Sequence, residues 1–169
     1  MSLKILLSGA RGRMGKAIQS IAKEHDCEIS FPVDIGDNAE TGIQHCDVVI
    51  DFSLRDATRA LAELAKQYNK PMVIGTTGHD KDERRAIEQL TSSIPIVWAG
   101  NFSTGVNLLF FLTQQAAKVL DLNSGFDPEV IEMHHRLKKD APSGTADRLL
   151  EILKESRSAT EADITHGRE

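Results

Sequence analysis

Two stretches of the chain hold residue types whose spacing could do chemistry. The first is "EMHHRLKKDAPSGTA", Glu132 to Ala146. Adjacent histidines, His134 and His135, precede the cations Arg136, Lys138 and Lys139, and a helix is entered through Pro142, Ser143, Gly144 and Thr145. Ser143 is a good N-cap, which leaves the N–H groups of Gly144 and Thr145 and the Thr145 hydroxyl able to hold a carboxylate at a helix N-terminus. Cations and a helix start thus converge on one small anion. In a strand, successive side chains point to opposite faces, so only one of the two histidines faces that ligand unless the backbone turns between them. The competing reading is a solvated basic loop before an ordinarily capped helix. Metal binding does not fit, because adjacent histidines without an HExxH pattern, a nearby cysteine or a carboxylate set do not make a zinc site.

The second stretch is "SGARGRMG", in which Gly9, Gly12 and Gly15 are spaced GxxGxxG between an apolar run, Leu3 to Leu7, and a helical pattern. Glycine permits a tight turn and close approach of the backbone to a pyrophosphate, and a helix N-terminus adds free N–H donors and a positive dipole end. Asp34 lies nineteen residues past Gly15, at the end of the next apolar run. An acid there accepts hydrogen bonds from an adenosine ribose. Alternatively, the glycines only turn the chain and Asp34 is a solvated strand end. Gly75, Thr76, Thr77 and Gly78 end another strand, and "AGNFS", Ala99 to Ser103, ends a further one. Both lie on the carboxyl edge, where ligands bind in open α/β sheets. An ordinary turn is the competing reading of Gly75 to Gly78. Pattern alone points to a nicotinamide enzyme acting on a small carboxylate.

The elements that must position these residues alternate. Strand patterns over Leu3 to Leu7, "EISFPVD", "DVVIDFS", "PMVIGTTG" and "IPIVWAGN" are separated by helical spacing through Met14, Ala17, Ile18 and Ile21, then by "LRDATRALAELAKQYNK" and "HDKDERRAIEQL". This predicts an α/β fold with a doubly wound, Rossmann-like parallel sheet covered on both faces. No helix is evident between Asp34 and Asp47. After Asn101 the pattern changes: Ser103 caps a long apolar helix to about Leu120, "DPEVIEMHH" reads as a strand, and Ser143 caps a further helix. The expected division is a dinucleotide-binding domain, 1–102, and a substrate-binding and oligomerisation domain, 103–169. The tail from Ser156 is polar and has no core face.

Composition excludes several classes. The chain has 169 residues, 40% hydrophobic and 27% charged, with a net charge of −5. That charge gives no global attraction to phosphate backbones or anionic lipid, and no motif for nucleic acid is present. The apolar run from Val106 to Leu112 is too short to span a bilayer, and Met1 to Leu7 lacks the order of a signal peptide. A cytoplasmic location is the simple expectation. Cys27 and Cys46 allow one bridge and no framework, so both read as buried reduced thiols.

The residues carry the reading further, because "EMHHRLKKDAPSGTA" closely resembles the signature of the 4-hydroxy-tetrahydrodipicolinate reductase family, also called dihydrodipicolinate reductase. "SGARGRMG", "VVIDFS", "VIGTTG" and "NFSTGVN" match further family segments in the right order. The resemblance implies reduction of a cyclic dicarboxylate by a nicotinamide hydride, with loss of water, to tetrahydrodipicolinate in lysine and diaminopimelate synthesis. It implies that His134 is the catalytic histidine and Lys138 the proton-donating lysine, and that His135, Gly144 and Thr145 hold the substrate. It also implies cofactor contacts from Gly9, Ala10, Arg11, Gly12, Arg13, Met14, Asp34, Gly75, Thr76, Thr77, Ala99, Gly100, Asn101 and Phe102. NADH is the expected preferred cofactor and NADPH a usable one, since Ile35 and Gly36 after Asp34 offer no charge to a 2′-phosphate, although Arg11 and Arg13 lie in the glycine turn. Family members form homotetramers through an open mixed sheet in an α+β second domain. They continue beyond "THGRE", so a truncated form of that domain is expected here. The alternatives are another nicotinamide-dependent dehydrogenase of a small carboxylate, or a non-catalytic dinucleotide-binding fragment.

Overall fold

The computed structural model describes residues 2–120, 125–134, 136 and 142–167. The chain divides into two units, Met1–Gly100 and Asn101–Glu169. In the first, strands β1 (Leu3–Ser8), β2 (Cys27–Val33), β3 (Val48–Asp51), β4 (Met72–Ile74) and β5 (Ile96–Trp98) alternate with helices. These are α1 (Arg13–Ile21), α2 (Glu40–His45), α3 (Arg55–Gln67) and α4 (Lys81–Leu90). Every strand pair is parallel and the sheet order is β2-β1-β3-β4-β5, so the fold is Rossmann-like, with its switch point between β1 and β3.

Register makes the strand ends flush. Val33 pairs with Ser8, Ser8 with Asp51, Asp51 with Ile74, and Ile74 with Trp98. The next residue along each of four strands then reaches sideways to its neighbour. Gly9 N–H donates to Val33 O, Phe52 N–H to Ser8 O, Gly75 N–H to Asp51 O, and Ala99 N–H to Ile74 O. One edge of the sheet therefore displays Asp34, Gly9, Phe52, Gly75 and Ala99 in a row.

The main core lies on one face, where Leu6, Val49, Met72 and Ile74 meet Ile43 of α2, Leu61, Ala62 and Ala65 of α3, and Ile87 and Leu90 of α4. Within this unit the opposite face carries α1 alone, over Ile5 and Leu7. The sequence reading had helices on both faces, and the cover is this uneven. That is why β3 and β4 alternate between buried and half-buried residues, where a doubly covered parallel strand would be buried throughout. Val97 in β5 is 58% exposed.

Three sequence expectations are corrected here. A helix does occupy part of the gap after Asp34: α2 is only six residues long, and its fully buried Ile43 anchors it through tertiary packing that no periodicity signals. Of the apolar spacing that predicted α1, Ile18 packs against the sheet, but Met14, Ala17 and Ile21 are exposed, while Gly15 is buried. A Cβ at Gly15 would overlap the backbone of Gly9 and Ala10, so α1 approaches the strand-turn most closely on its glycine side, which rolls Met14 and Ile21 outward. Cys46 is buried as expected, its thiol pKa raised by burial, but Cys27 is only half-buried; both are free.

The second unit contains α5 (Thr104–Val119) and α6 (Gly144–Arg157), which lie against each other with Ala117, Ala146 and Ile152 buried. Both predicted N-caps form: the Ser103 hydroxyl accepts from Val106 N–H at 3.4 Å and that of Ser143 from Ala146 N–H at 3.1 Å. Of the strand expected over 127–135, residues 127–134 are described and form none. A strand needs a hydrogen-bonded neighbour, and among the described residues none runs beside this segment, which leaves Ile131 83% and Met133 93% exposed. Beyond α6 the tail makes a single 3₁₀ turn, Glu161–Asp163, that buries nothing.

Candidate active site

At the switch point the glycine turn and the end of β2 are laced by backbone. Gly9 and Ala10 N–H groups both donate to Val33 O, at 3.0 and 3.2 Å. Arg11 N–H donates to Asp34 Oδ2 at 2.8 Å, and Ile35 N–H donates to Asp34 Oδ1 at 2.9 Å. The amides of Ile35 and Arg11 hold the Asp34 carboxyl below its ordinary range. Each Asp34 oxygen keeps a further lone pair for a donor from outside. Asp34 is therefore a fixed, ionised acceptor at the sheet edge, not a loosely solvated strand end.

The N-terminus of α1 leaves its first-turn amides open. Gly12 is its N-cap and no side chain caps the first-turn amides, so those N–H groups have no intrahelical acceptor. Arg13 and Met14 line one wall of a cleft whose other walls are 52–56 and Gly75, Thr76 and Thr77. Thr77 lies beside Gly100, its Cγ2 3.7 Å from where a Gly100 Cβ would stand. Ala10 is different in kind: its side chain is buried in the core under α1, and its carbonyl accepts from Gln19 Nε2 at 2.7 Å.

The sequence reading missed the end of β3, although "VVIDFS" was on the page as a strand. Asp51 is fully buried and accepts from Thr58 Oγ1 at 2.7 Å, Ser53 N–H at 3.0 Å and the Ser53 hydroxyl. Ser53 N–H also donates to Thr76 Oγ1 at 3.0 Å, so the ends of β3 and β4 are tied together under the cleft. Phe52 is wedged between the two glycine turns. A Cβ at Gly9 would overlap the Phe52 carbonyl and one at Gly75 its ring, and Gly9 has a φ of +79° besides. These two glycines make room for protein, which single-sequence pattern reading cannot separate from making room for ligand.

In the second unit the loop residues gather on Glu132. Its Oε1 accepts from Ser143 N–H at 2.9 Å, and its Oε2 lies 3.6 Å from His134 Nδ1. Glu132 thus holds the N-cap of α6 and stands beside the histidine, a placement the reading did not assign, although a glutamate two residues before a histidine and eleven before a cap was visible in the motif. With the Ser143 hydroxyl occupied by Ala146, the amides of Gly144 and Thr145 remain at the open helix start. A Cβ built on Gly144 meets nothing within 4 Å. Asn101, at the head of this unit, accepts from Ser103 N–H at 2.8 Å through its side chain and from Asn107 Nδ2 at 3.0 Å through its carbonyl. Phe102 is 44% exposed. His135 and Lys138 lie outside the described residues.

Among the described residues, no group of histidines, cysteines and carboxylates could hold a metal ion, and no helix is long and apolar enough to cross a membrane.

Comparison with known proteins agrees along the whole length. The 4-hydroxy-tetrahydrodipicolinate reductase of Akkermansia muciniphila is 49% identical over 152 residues, covering 89% of this chain and 61% of that protein. That of Zymomonas mobilis is 44% identical over 170 residues, covering 96% of this chain and 66% of that protein. This chain thus spans somewhat under two thirds of the length of these relatives. A solved structure described as dipicolinate-bound dihydrodipicolinate reductase from Paenisporosarcina sp. TG-14 superposes with a TM-score of 0.75 at 26% identity, over 100% of this chain and 72% of that one. Residues 3–102 match the family model for the N-terminus of dihydrodipicolinate reductase, residues 105–169 match the model for its C-terminus, and the chain belongs to the dihydrodipicolinate reductase family.

Proposed function

We propose that the chain carries the nucleotide site and the substrate loop of an NAD(P)H-dependent oxidoreductase that reduces 4-hydroxy-tetrahydrodipicolinate to tetrahydrodipicolinate, with loss of water, in lysine and diaminopimelate synthesis. The observation that carries this is the match of both halves to the two family models. In this reading 1–102 is the dinucleotide-binding domain and 103–169 the part of the substrate domain that the chain contains. When bound, the reduced nicotinamide supplies the hydride. The protein's residues do the rest. The uncapped first-turn amides of α1 at Arg13 and Met14 hold the pyrophosphate, and Asp34 takes the adenosine ribose hydroxyls. Gly75 to Thr77 and Ala99 to Phe102 flank the nicotinamide half.

On the substrate side, the amides of Gly144 and Thr145 and the Thr145 hydroxyl hold one carboxylate, with His135 on the same ligand. Lys138 donates the proton that the reduced ring takes up, and His134, held by Glu132, stabilises charge as it forms. What supports the roles is residue type and placement: an open helix start for an anion, and an imidazole oriented by a carboxylate that also touches that helix start. The reading also includes a preference for NADH over NADPH, a cytoplasmic location and a homotetramer for complete family members.

The test is direct. Purified protein is mixed with NADH and 4-hydroxy-tetrahydrodipicolinate, and loss of the reduced-nicotinamide absorbance is followed together with formation of tetrahydrodipicolinate. Substrate-dependent oxidation is the expected result. Tight NADH binding with no turnover would leave only a dinucleotide-binding fragment.

A further inference from the structure

The turn that follows β2 contains a second acid that the cofactor reading does not use. Asp37 Oδ2 accepts from Asp34 N–H at 2.9 Å and from Arg11 Nη2 at 3.3 Å, while Asp37 N–H donates back to Asp34 O at 2.9 Å. Arg11 therefore meets the β2 end twice, its amide on Asp34 and its guanidinium on Asp37. The Arg11 side chain is 72% exposed and that of Asp37 40%, so the pair sits at the surface beside the carboxylate assigned to the adenosine ribose.

We infer that Asp37 is a specificity-determining residue: by engaging the Arg11 guanidinium it withholds the cation at this edge that could meet a 2′-phosphate, and so biases the site toward the unphosphorylated dinucleotide. The physical reason is competition. A 2′-phosphate and the Asp37 carboxylate are both anions asking for the same planar N–H fork, and an arginine already paired must give up one partner to serve the other. Asp34 acts on the ribose hydroxyls directly, and Asp37 acts through Arg11. This is a positioning role that rests on the cofactor reading above and goes beyond it. Because the pair is exposed, the bias is small and salt-sensitive.

The experiment is a double-mutant cycle read by binding, with no substrate present. Dissociation constants for NADH and NADPH are measured at low salt from the change in nicotinamide fluorescence for the full chain, for Asp37→Asn, for Arg11→Ala and for the double variant. Asparagine keeps a side-chain oxygen for Asp34 N–H, so the turn survives, and Asp37→Ser gives a second uncharged acceptor in case it does not. Asp37→Asn and Asp37→Ser are expected to tighten NADPH about two- to fivefold while NADH changes less than about twofold, the size of an exposed ion pair. In the Arg11→Ala background the same substitution is expected to leave the NADPH to NADH ratio where Arg11→Ala alone put it.

An unchanged ratio in Asp37→Asn and Asp37→Ser would overturn the inference. So would an equal shift with and without Arg11, since the effect would then be a bare loss of negative charge and not release of the arginine. A wild-type chain that binds neither nucleotide would instead overturn the reading of the glycine turn, and this inference with it.

Discussion

His134 illustrates how little of a residue's role its type settles. Its Nδ1 lies 3.6 Å from Glu132 Oε2, and the other oxygen of that carboxylate accepts from Ser143 N–H at the N-cap of α6. His134→Ala is expected to lower turnover about a hundredfold or more, the usual scale for a lost acid–base group, with NADH affinity changed less than about twofold. Steady-state rates beside fluorescence titrations check this, and a comparable loss in both measurements would place His134 in nucleotide binding.

His79 is a second case. It is 7% exposed, stacks edge-on against Trp98 at 5.2 Å, and neither ring nitrogen has a hydrogen-bond partner among the described residues. Burial pushes its pKa below the ordinary 6.5, against the opposing pull of Glu83 and Asp51 and with the help of Arg84 and Arg55. Above pH about 6.5 the ring is neutral in both states and adds no pH dependence. Below that, the unfolded chain takes a proton that the folded one resists. Stability therefore falls as pH drops from about 6.5 and stops falling once the lower folded-state pKa is passed. Denaturant melts at about pH 7 and pH 5 should show a smaller acid loss in His79→Phe, which keeps the ring contact with Trp98; equal losses would remove the claim.

At the scale of elements, the turn between β1 and α1 separates fold from function among its own glycines. Gly15 takes the backbone of Gly9 and Ala10 where a Cβ would overlap it, whereas a Cβ at Gly12 meets only Gly9 O at 3.2 Å, and Gly12 has an ordinary extended backbone. Gly15→Ala should thus destabilise the first unit by about 1 to 3 kcal/mol through forced backbone displacement. Gly12→Ala should melt within about 0.5 kcal/mol of wild type yet, on the proposed reading, bind NADH at least tenfold more weakly, because the new methyl would stand where that reading puts the pyrophosphate. Parallel thermal melts and titrations discriminate the two. A stable, NADH-binding Gly12→Ala would return the turn to being only a turn.

For the whole molecule the decisive feature is what α5 does not bury. Leu108, Leu109, Phe111 and Leu112 are each between 48% and 56% exposed, and only Ala117 of this helix is buried. A cluster of large apolar side chains on one helix is an association surface, and a net charge of −5 spread over 169 residues offers weak opposition. The chain is expected to self-associate with rising concentration and to bind a hydrophobic dye. Replacing Leu109 by Asp and Phe111 by Ser should suppress both. Light scattering that finds the unsubstituted chain monomeric at about millimolar concentration would contradict this.

Much of this protein was legible before any coordinates. Periodicity of 2 and 3.6 and the cap chemistry of Ser103 and Ser143 are local properties, so the five strands of the first unit, α1, α3 and α4, and both caps of the second unit followed from residue types alone, while α2 did not. The glycine turn was legible as the turn of a strand–turn–helix unit, and Asp34 as the residue that ends the next strand. What the tertiary structure decided depends on neighbours far away in sequence. Asp51 could be known as the clamp under the cleft only once β3 and β4 were paired, because Thr76 comes from the next strand. The inner face of α1 was settled by how closely Gly15 meets Gly9, which overrides the hydrophobic stripe. Residues 127–134 have the composition of a strand but no ladder partner among the described residues. A strand is a relation between two segments, and no single segment contains it.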